Sequence, residues 1–222
     1  MLRILVVAAV LLSKVSRPAE AQPVVRPYAG AVAGISTLSV DARSAITSGT
    51  ADVSLYKPEN GPALNLLIGL HVHDYATVQA NYMWNRNDVV LTSIEAAGRS
   101  FYEQPRTSSQ HAVVGDLLVY FRDRRSALRP YLSVGAGVVR LESTATGEAR
   151  VLSATPPPAH LQATRALLRV AVGIDAAMGG NWSARYSFSE SISLNPFSAQ
   201  LSPPGQRNLA NFQNLFGVVR AF

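Results

Sequence analysis

The chain has 222 residues, 48% of them apolar and 15% charged, with 15 Gly, 13 Pro and no Cys; 20 Lys and Arg against 14 Asp and Glu leave a net charge of +6. The absence of cysteine excludes disulfide frameworks, thiol nucleophiles and Cys-based zinc sites, and charge this sparse excludes a disordered tail protein. The basic residues are scattered, so the net charge alone assigns no anionic partner.

Met1-Leu2-Arg3 precedes an apolar run, Ile4 to Leu12. That run is too short to cross a bilayer, which takes about 20 residues. Ala19-Glu20-Ala21 then supplies small residues where a signal peptidase reads. Residues 1–21 are therefore expected to be a signal peptide cleaved before Gln22, with residues 22–222 as one exported domain.

From there the chain alternates with period two, which puts successive side chains on opposite faces of a strand. Arg26 to Leu38 is a Gly/Ala-rich copy. Leu66, Ile68, Leu70 and Val72 oppose Asn65, Gly69, His71 and His73. Ala76, Val78, Ala80, Tyr82 and Trp84 oppose Thr77, Gln79, Asn81, Met83 and Asn85. Val113, Leu117, Val119 and Phe121 share a face opposite Asp116 and Tyr120, and Leu132, Val134, Ala136 and Val138 alternate with Tyr131, Ser133, Gly135 and Gly137. Ala166, Leu168, Val170, Val172 and Ile174 face away from Arg165, Arg169 and Asp175. The clearest copy sets Trp182, Ala184, Tyr186, Phe188, Glu190 and Ile192 against Ser183, Arg185, Ser187, Ser189, Ser191 and Ser193. Asn211 to Phe222 closes the series, giving eight candidate strands and no helical period.

The links over 39–63, 74–75, 88–109, 122–129, 143–162, 176–181 and 194–210 alternate long and short. A meander with long loops at one end and tight turns at the other is the signature of a transmembrane β-barrel. Pro58, Pro62, Pro105, the Pro156 to Pro158 run, Pro196, Pro203 and Pro204 are expected in the long loops, while Pro27 and Pro130 start strands. The polar faces carry Ser, Thr, Asn and Gly rather than the charged surface of a soluble sheet, and aromatics gather near strand ends, as in interfacial girdles. The expected fold is an all-β, eight-stranded, antiparallel, up-and-down transmembrane β-barrel.

The segments GLHVHDYATVQANYMW (69–84), RPYLSVGAGVVR (129–140), VGIDAAMGGNWSARYSF (172–188) and NLFGVVRAF (214–222) carry a resemblance. Together they resemble the strand–turn–strand units of the small eight-stranded outer-membrane β-barrels, the outer-membrane-protein-A-like and opacity-protein-like family. The resemblance implies a place in the cell outer membrane and a C-terminal insertion signal formed by Phe216, Val218 and Phe222. Arg220 departs from the family's usual apolar or aromatic residue there; its long stem would let it snorkel. The implied partners are outer-membrane lipid, the barrel-insertion machinery and a host or environmental surface ligand held by the loops. No nucleic acid, no cofactor and a monomeric state are expected.

Asp116, Arg165, Arg169, Asp175, Arg185 and Glu190 are expected to form a polar network in the lumen, mutually paired so that no buried charge stands alone. His71, His73 and Asp74 offer two imidazoles beside a turn without an evident third ligand, so no metal is expected. None of His71, His73, His111 and His160 supplies the His-x-Ser unit of the lipid A deacylases among eight-stranded barrels, and no catalytic residue is assigned. Arg122-Asp123-Arg124-Arg125 reads as a solvated turn. The expected function is non-enzymatic: envelope integrity, or surface recognition through four long loops. The alternatives are a small-solute channel, a lipid A-modifying enzyme and a soluble periplasmic carrier.

Overall fold

A strand with one apolar and one polar face still leaves its backbone donors and acceptors open on both edges, and a sheet escapes that only by closing on itself. The structure, a computed structural model, describes residues 25–40, 52–57, 59–95, 101–152, 158–194 and 208–222. The expected signal peptide and its cleavage site before Gln22 lie outside the described residues, as do Pro58, Pro156, Pro157, Pro196, Pro203 and Pro204. The strands are β1 (Arg26–Val40), β2 (Asp52–Lys57), β3 (Glu59–His71), β4 (Ala76–Glu95), β5 (Phe101–Tyr120), β6 (Leu128–Ala145), β7 (Arg150–Leu152), β8 (His160–Gly179), β9 (Trp182–Leu194) and β10 (Asn208–Ala221). Eight of them, β1-β3-β4-β5-β6-β8-β9-β10, pair antiparallel in that cyclic order. The ring closes between first and last strand, from Tyr28 opposite Ala221 to Val40 opposite Leu209. β2 and β7 lie outside the ring, added to the far ends of β4 and β5.

All eight expected strands form, but they run further than the alternation indicated. The link expected over 88–109 is mostly ladder: β4 and β5 stay paired up to Ile94 opposite Phe101. Beyond Trp84 the outward residues turn polar, as at Arg86 and Asp88, so both faces lose the contrast by which alternation is recognised. Pro62 and Pro105 are accordingly in strands β3 and β5, not in loops. The Pro105 carbonyl accepts from the Thr146 amide at 2.9 Å, on the side away from β4. Its missing N–H therefore removes no β4–β5 bond, as proline in a strand requires. Pro62 likewise precedes the first β3–β4 pair, Ala63 with Asn85.

Two of the tight turns carry their own chemistry. Gly180 and Asn181 connect β8 to β9 with φ of 57° and 67°, the pair of positive values that a two-residue hairpin turn needs. In the turn after β5, the Asp123 carboxylate accepts from the amides of Arg125 and Ser126 and from the Ser126 hydroxyl. Arg122 to Arg125 is thus a turn organised by Asp123. Arg124 pairs with Asp74 of the neighbouring turn at 3.3 Å and donates to the His71 carbonyl.

The apolar face is outside. Ile68, Leu168 and Phe216 are 64%, 68% and 64% exposed, and with Leu66, Val113, Val134, Val170 and Val172 they belong to a continuous belt. Monomeric soluble proteins do not expose apolar patches beyond a few hundred Å², so the soluble-carrier alternative falls. On β8 the belt runs from Ala166 to Ile174, in keeping with the roughly 9–11 residues a tilted strand needs to cross hydrocarbon.

Candidate functional site

Eight strands enclose a space that side chains fill, and the inward positions fill it in layers. Nearest the tight turns, Asp175 and Arg185 stand directly opposite each other on β8 and β9. Arg185 Nε donates to Asp175 Oδ1 at 2.6 Å and Nη2 to Oδ2 at 2.7 Å, a two-pronged grip that suits the planar guanidinium. Nη2 also reaches the Tyr120 hydroxyl, which donates to Asp175 at 2.9 Å. Arg185 Nη1 donates to Gln79 Oε1 at 2.7 Å, and the Tyr28 hydroxyl donates to the same oxygen. Arg129 lies over the Tyr120 ring at 3.8 Å, a cation–π contact.

Gln79 passes the network upward. Its amide donates to Asn81 Oδ1 at 2.7 Å, and Asn81 donates to Asp116 Oδ2 at 2.6 Å. The same oxygen takes the Arg169 guanidinium, closing the second ion pair. Asp116 and Arg169 are not on adjacent strands. Each is opposite Gly135 of β6, one on either side, and they meet across the space its missing side chain leaves. A Cβ at Gly135 would overlap Asp116 Oδ1. Gly135→Ala is therefore expected to destabilise the barrel by about 1–3 kcal/mol, the usual range for overpacking, read as a lowered urea midpoint.

Four of the six residues expected in the lumen network are there: Asp116, Arg169, Asp175 and Arg185, all buried. Two are not. Glu190 faces outward between Val170 and Phe212 and is half-buried. β9 keeps strict period two, so Glu190 must share the face of Tyr186 and Phe188 whatever its charge. Arg165 has the inward register, opposite buried Val139, but it lies beyond the last β8–β9 pair, Leu167 with Ser193. There it is exposed and donates to the Thr164 carbonyl.

Sequence reasoning passed over the neutral members. Above the ion pairs Ser36, Asn85, Asn87, Gln110 and Asn211 form an amide layer, with Asn211 Nδ2 donating to Asn85 at 2.9 Å and to Gln110 at 2.8 Å. Higher still, Arg106 donates to Ser143 and to the carbonyls of Pro158 and Ala159, tying the entry to β8 down onto the rim. Their signal was the inward parity of polar residues. Between the layers an internal void of about 10 Å³ remains beside Asn65, Ser133, Arg169 and Arg185, room for about one water.

His71 bonds Thr77 inside the barrel at 2.8 Å, whereas exposed His73 accepts from the Tyr75 amide in the turn, so the two imidazoles do not converge. Phe216 and Val218 point outward on β10, and Phe222 is exposed at the chain end. Arg220 sits over the Trp182 and Phe222 rings at 5.4 and 5.5 Å, at the belt's lower edge, where a long side chain snorkels.

The family profile for the outer membrane protein beta-barrel domain matches residues 5–221. No curated protein matches the sequence. Among solved structures, Neisserial surface protein A is similar with a TM-score of 0.53 and 13% identity over 88% of this chain and 97% of that one. The attachment invasion locus protein Ail of Yersinia pestis has a TM-score of 0.46 and 12% identity, over 89% and 97%. OprG of Pseudomonas aeruginosa has 0.42 and 12%, over 89% and 94%. At such identities the likeness to Neisserial surface protein A is one of fold.

Proposed function

This chain belongs to the outer membrane protein β-barrel domain family, and on that premise we propose that it is a non-enzymatic surface-recognition protein of the outer membrane. The observation that carries the reading is the ladder of β4 and β5, which continues past the apolar belt. From Arg86 to Glu95, at about 3.3 Å per residue, it extends roughly 30 Å along the strand beyond Trp84. β2 and β7 widen it on either side. A paired four-strand extension keeps its shape outside the bilayer, and recognition usually sits on such projections from a rigid scaffold. The ion pairs and amide layer that cross the lumen among the described residues argue against conduction of solutes. The reading includes export with removal of residues 1–21, and delivery through an insertion signal at Phe216, Val218 and Phe222.

Trimming tests it. Replacing residues 92–103 by a two-residue turn joins Leu91 to Gln104, directly opposed positions of the ladder, and keeps the Arg106 clamp. The trimmed protein is expected to remain a folded, heat-modifiable barrel on gels while binding to host or abiotic surfaces by whole cells falls to background. Undiminished binding would remove the extension from the function. In planar bilayers the intact protein is expected to give no steady conductance, and reproducible single-channel steps would reinstate the channel.

A further inference from the structure

The outward face changes character abruptly on β4, β5, β6 and β8. The row Tyr82, Val113, Val138 and Ala166 still belongs to the apolar belt; the next reads Trp84, His111, Arg140 and Thr164, and the one above it Arg86, Ser109, Glu142 and Gln162. Ser109 of β5 is short, whereas Arg86 and Glu142, which flank it on β4 and β6, are long, and Thr107 continues the low floor between Asp88 and Thr144. The result is a groove of about 420 Å³ along β5, with Trp84 and Arg86 on one wall and Glu142, Thr144 and Thr146 on the other. That volume falls within the range of small-molecule sites.

The charges are unevenly spent. Thr107 donates to Asp88 at 2.7 Å, and Arg140 donates to Glu142 at 2.8 Å. Arg86 is exposed and is paired with no carboxylate among the described residues. The groove thus offers an aromatic face, several hydroxyls and a guanidinium that no described carboxylate neutralises. It opens sideways, immediately above side chains that meet hydrocarbon, at the end of the barrel that bears the long links and so faces outward from the cell.

We propose that this groove binds the phosphorylated sugar headgroup of an outer-leaflet glycolipid. Arg86 takes the phosphate, since a guanidinium matches phosphate geometry. Trp84 supports a sugar ring, and Thr107, Ser109 and Thr144 bond its hydroxyls. The lateral opening selects the lipid-anchored form, because its acyl chains lie along Tyr82, Val113 and Val138 while the headgroup enters.

The test uses the full chain in phosphatidylcholine bilayers with Trp182→Phe, which leaves Trp84 as its one indole, there being 2 Trp in the chain. Adding a bisphosphorylated, acylated glucosamine disaccharide to the bilayer is expected to shift Trp84 emission saturably. Arg86→Gln is expected to raise the half-saturating fraction about tenfold, as the loss of a charged hydrogen bond does. Ser109→Leu, which fills the groove floor, is expected to abolish the shift. Arg165→Gln removes the same charge at an exposed position of inward register and is expected to change nothing. Binding is scored on the heat-modifiable, folded fraction of each variant. Equal weakening by Arg86→Gln and Arg165→Gln, the same response to phosphatidylglycerol, or equally tight binding of the soluble deacylated sugar phosphate would each overturn the proposal.

Discussion

Asp175→Ala is expected to destabilise the barrel by about 3–5 kcal/mol, the cost of leaving one member of a buried ion pair without its partner. Arg185 is 2% exposed, so after the substitution its guanidinium keeps Gln79 and Tyr120 but loses the carboxylate that neutralises it. The measurement is reversible urea unfolding from lipid vesicles, where the midpoint should fall without a comparable change in slope. The pair itself is a weaker contributor than that loss suggests, because desolvating both ions offsets much of their attraction. Asp175→Leu combined with Arg185→Met is therefore expected to recover most of the stability. A double variant as unstable as Asp175→Ala would mean that the wider network, including Gln79 and Tyr120, needs the charges themselves.

Tyr186→Arg is expected to cost about 2–4 kcal/mol, the penalty for a cation near the bilayer midplane. Tyr186 is at the middle of the outward series on β9, is exposed, and donates its hydroxyl to Asn214. Ser187→Arg, one residue along, goes into the lumen beside Arg185 and the small internal void. There it adds a third cation to two balanced ion pairs, so its cost comes through crowding and unpaired charge. The two variants are separated by lipid: thinner bilayers should relieve Tyr186→Arg, since the arginine then lies nearer an interface, and should leave Ser187→Arg unchanged. If Tyr186→Arg were harmless in every bilayer, the outward face of β9 would be misassigned.

Much of this was legible in residue order. Leu66 to Val72, Ala76 to Trp84 and Trp182 to Ile192 declare their faces because side chains alternate without exception in an unbulged strand. Gly180-Asn181 declares its turn because both residues tolerate positive φ. The strand ends were not legible. β4 and β5 continue through Arg86, Asp88 and Pro105, where the outward face is polar and the inward face mixes Asn87 and Arg106 with Val89 and Leu91, so no apolar/polar contrast marks the strand. Glu190 shows the opposite error: parity placed it outside, and reasoning from its charge placed it inside. Parity prevailed, since turning one side chain round would slip the register of every residue after it.

The number of wall strands and the inside-out distribution of apolar residues were implicit in the alternation and in the order of short and long links, because both follow from local backbone geometry. What fills the barrel was decided only by closure. Asp116 meets Arg169 because Gly135 stands between them on the intervening strand. Gln79 joins the two ion pairs because β4 lies across the lumen from β9. The groove walled by Trp84 and Arg86 exists because the short Ser109 of β5 falls between Arg86 on β4 and Glu142 on β6. Each of these depends on register between strands distant in sequence, and register is set by the pairing of whole strands around the ring rather than by any single segment.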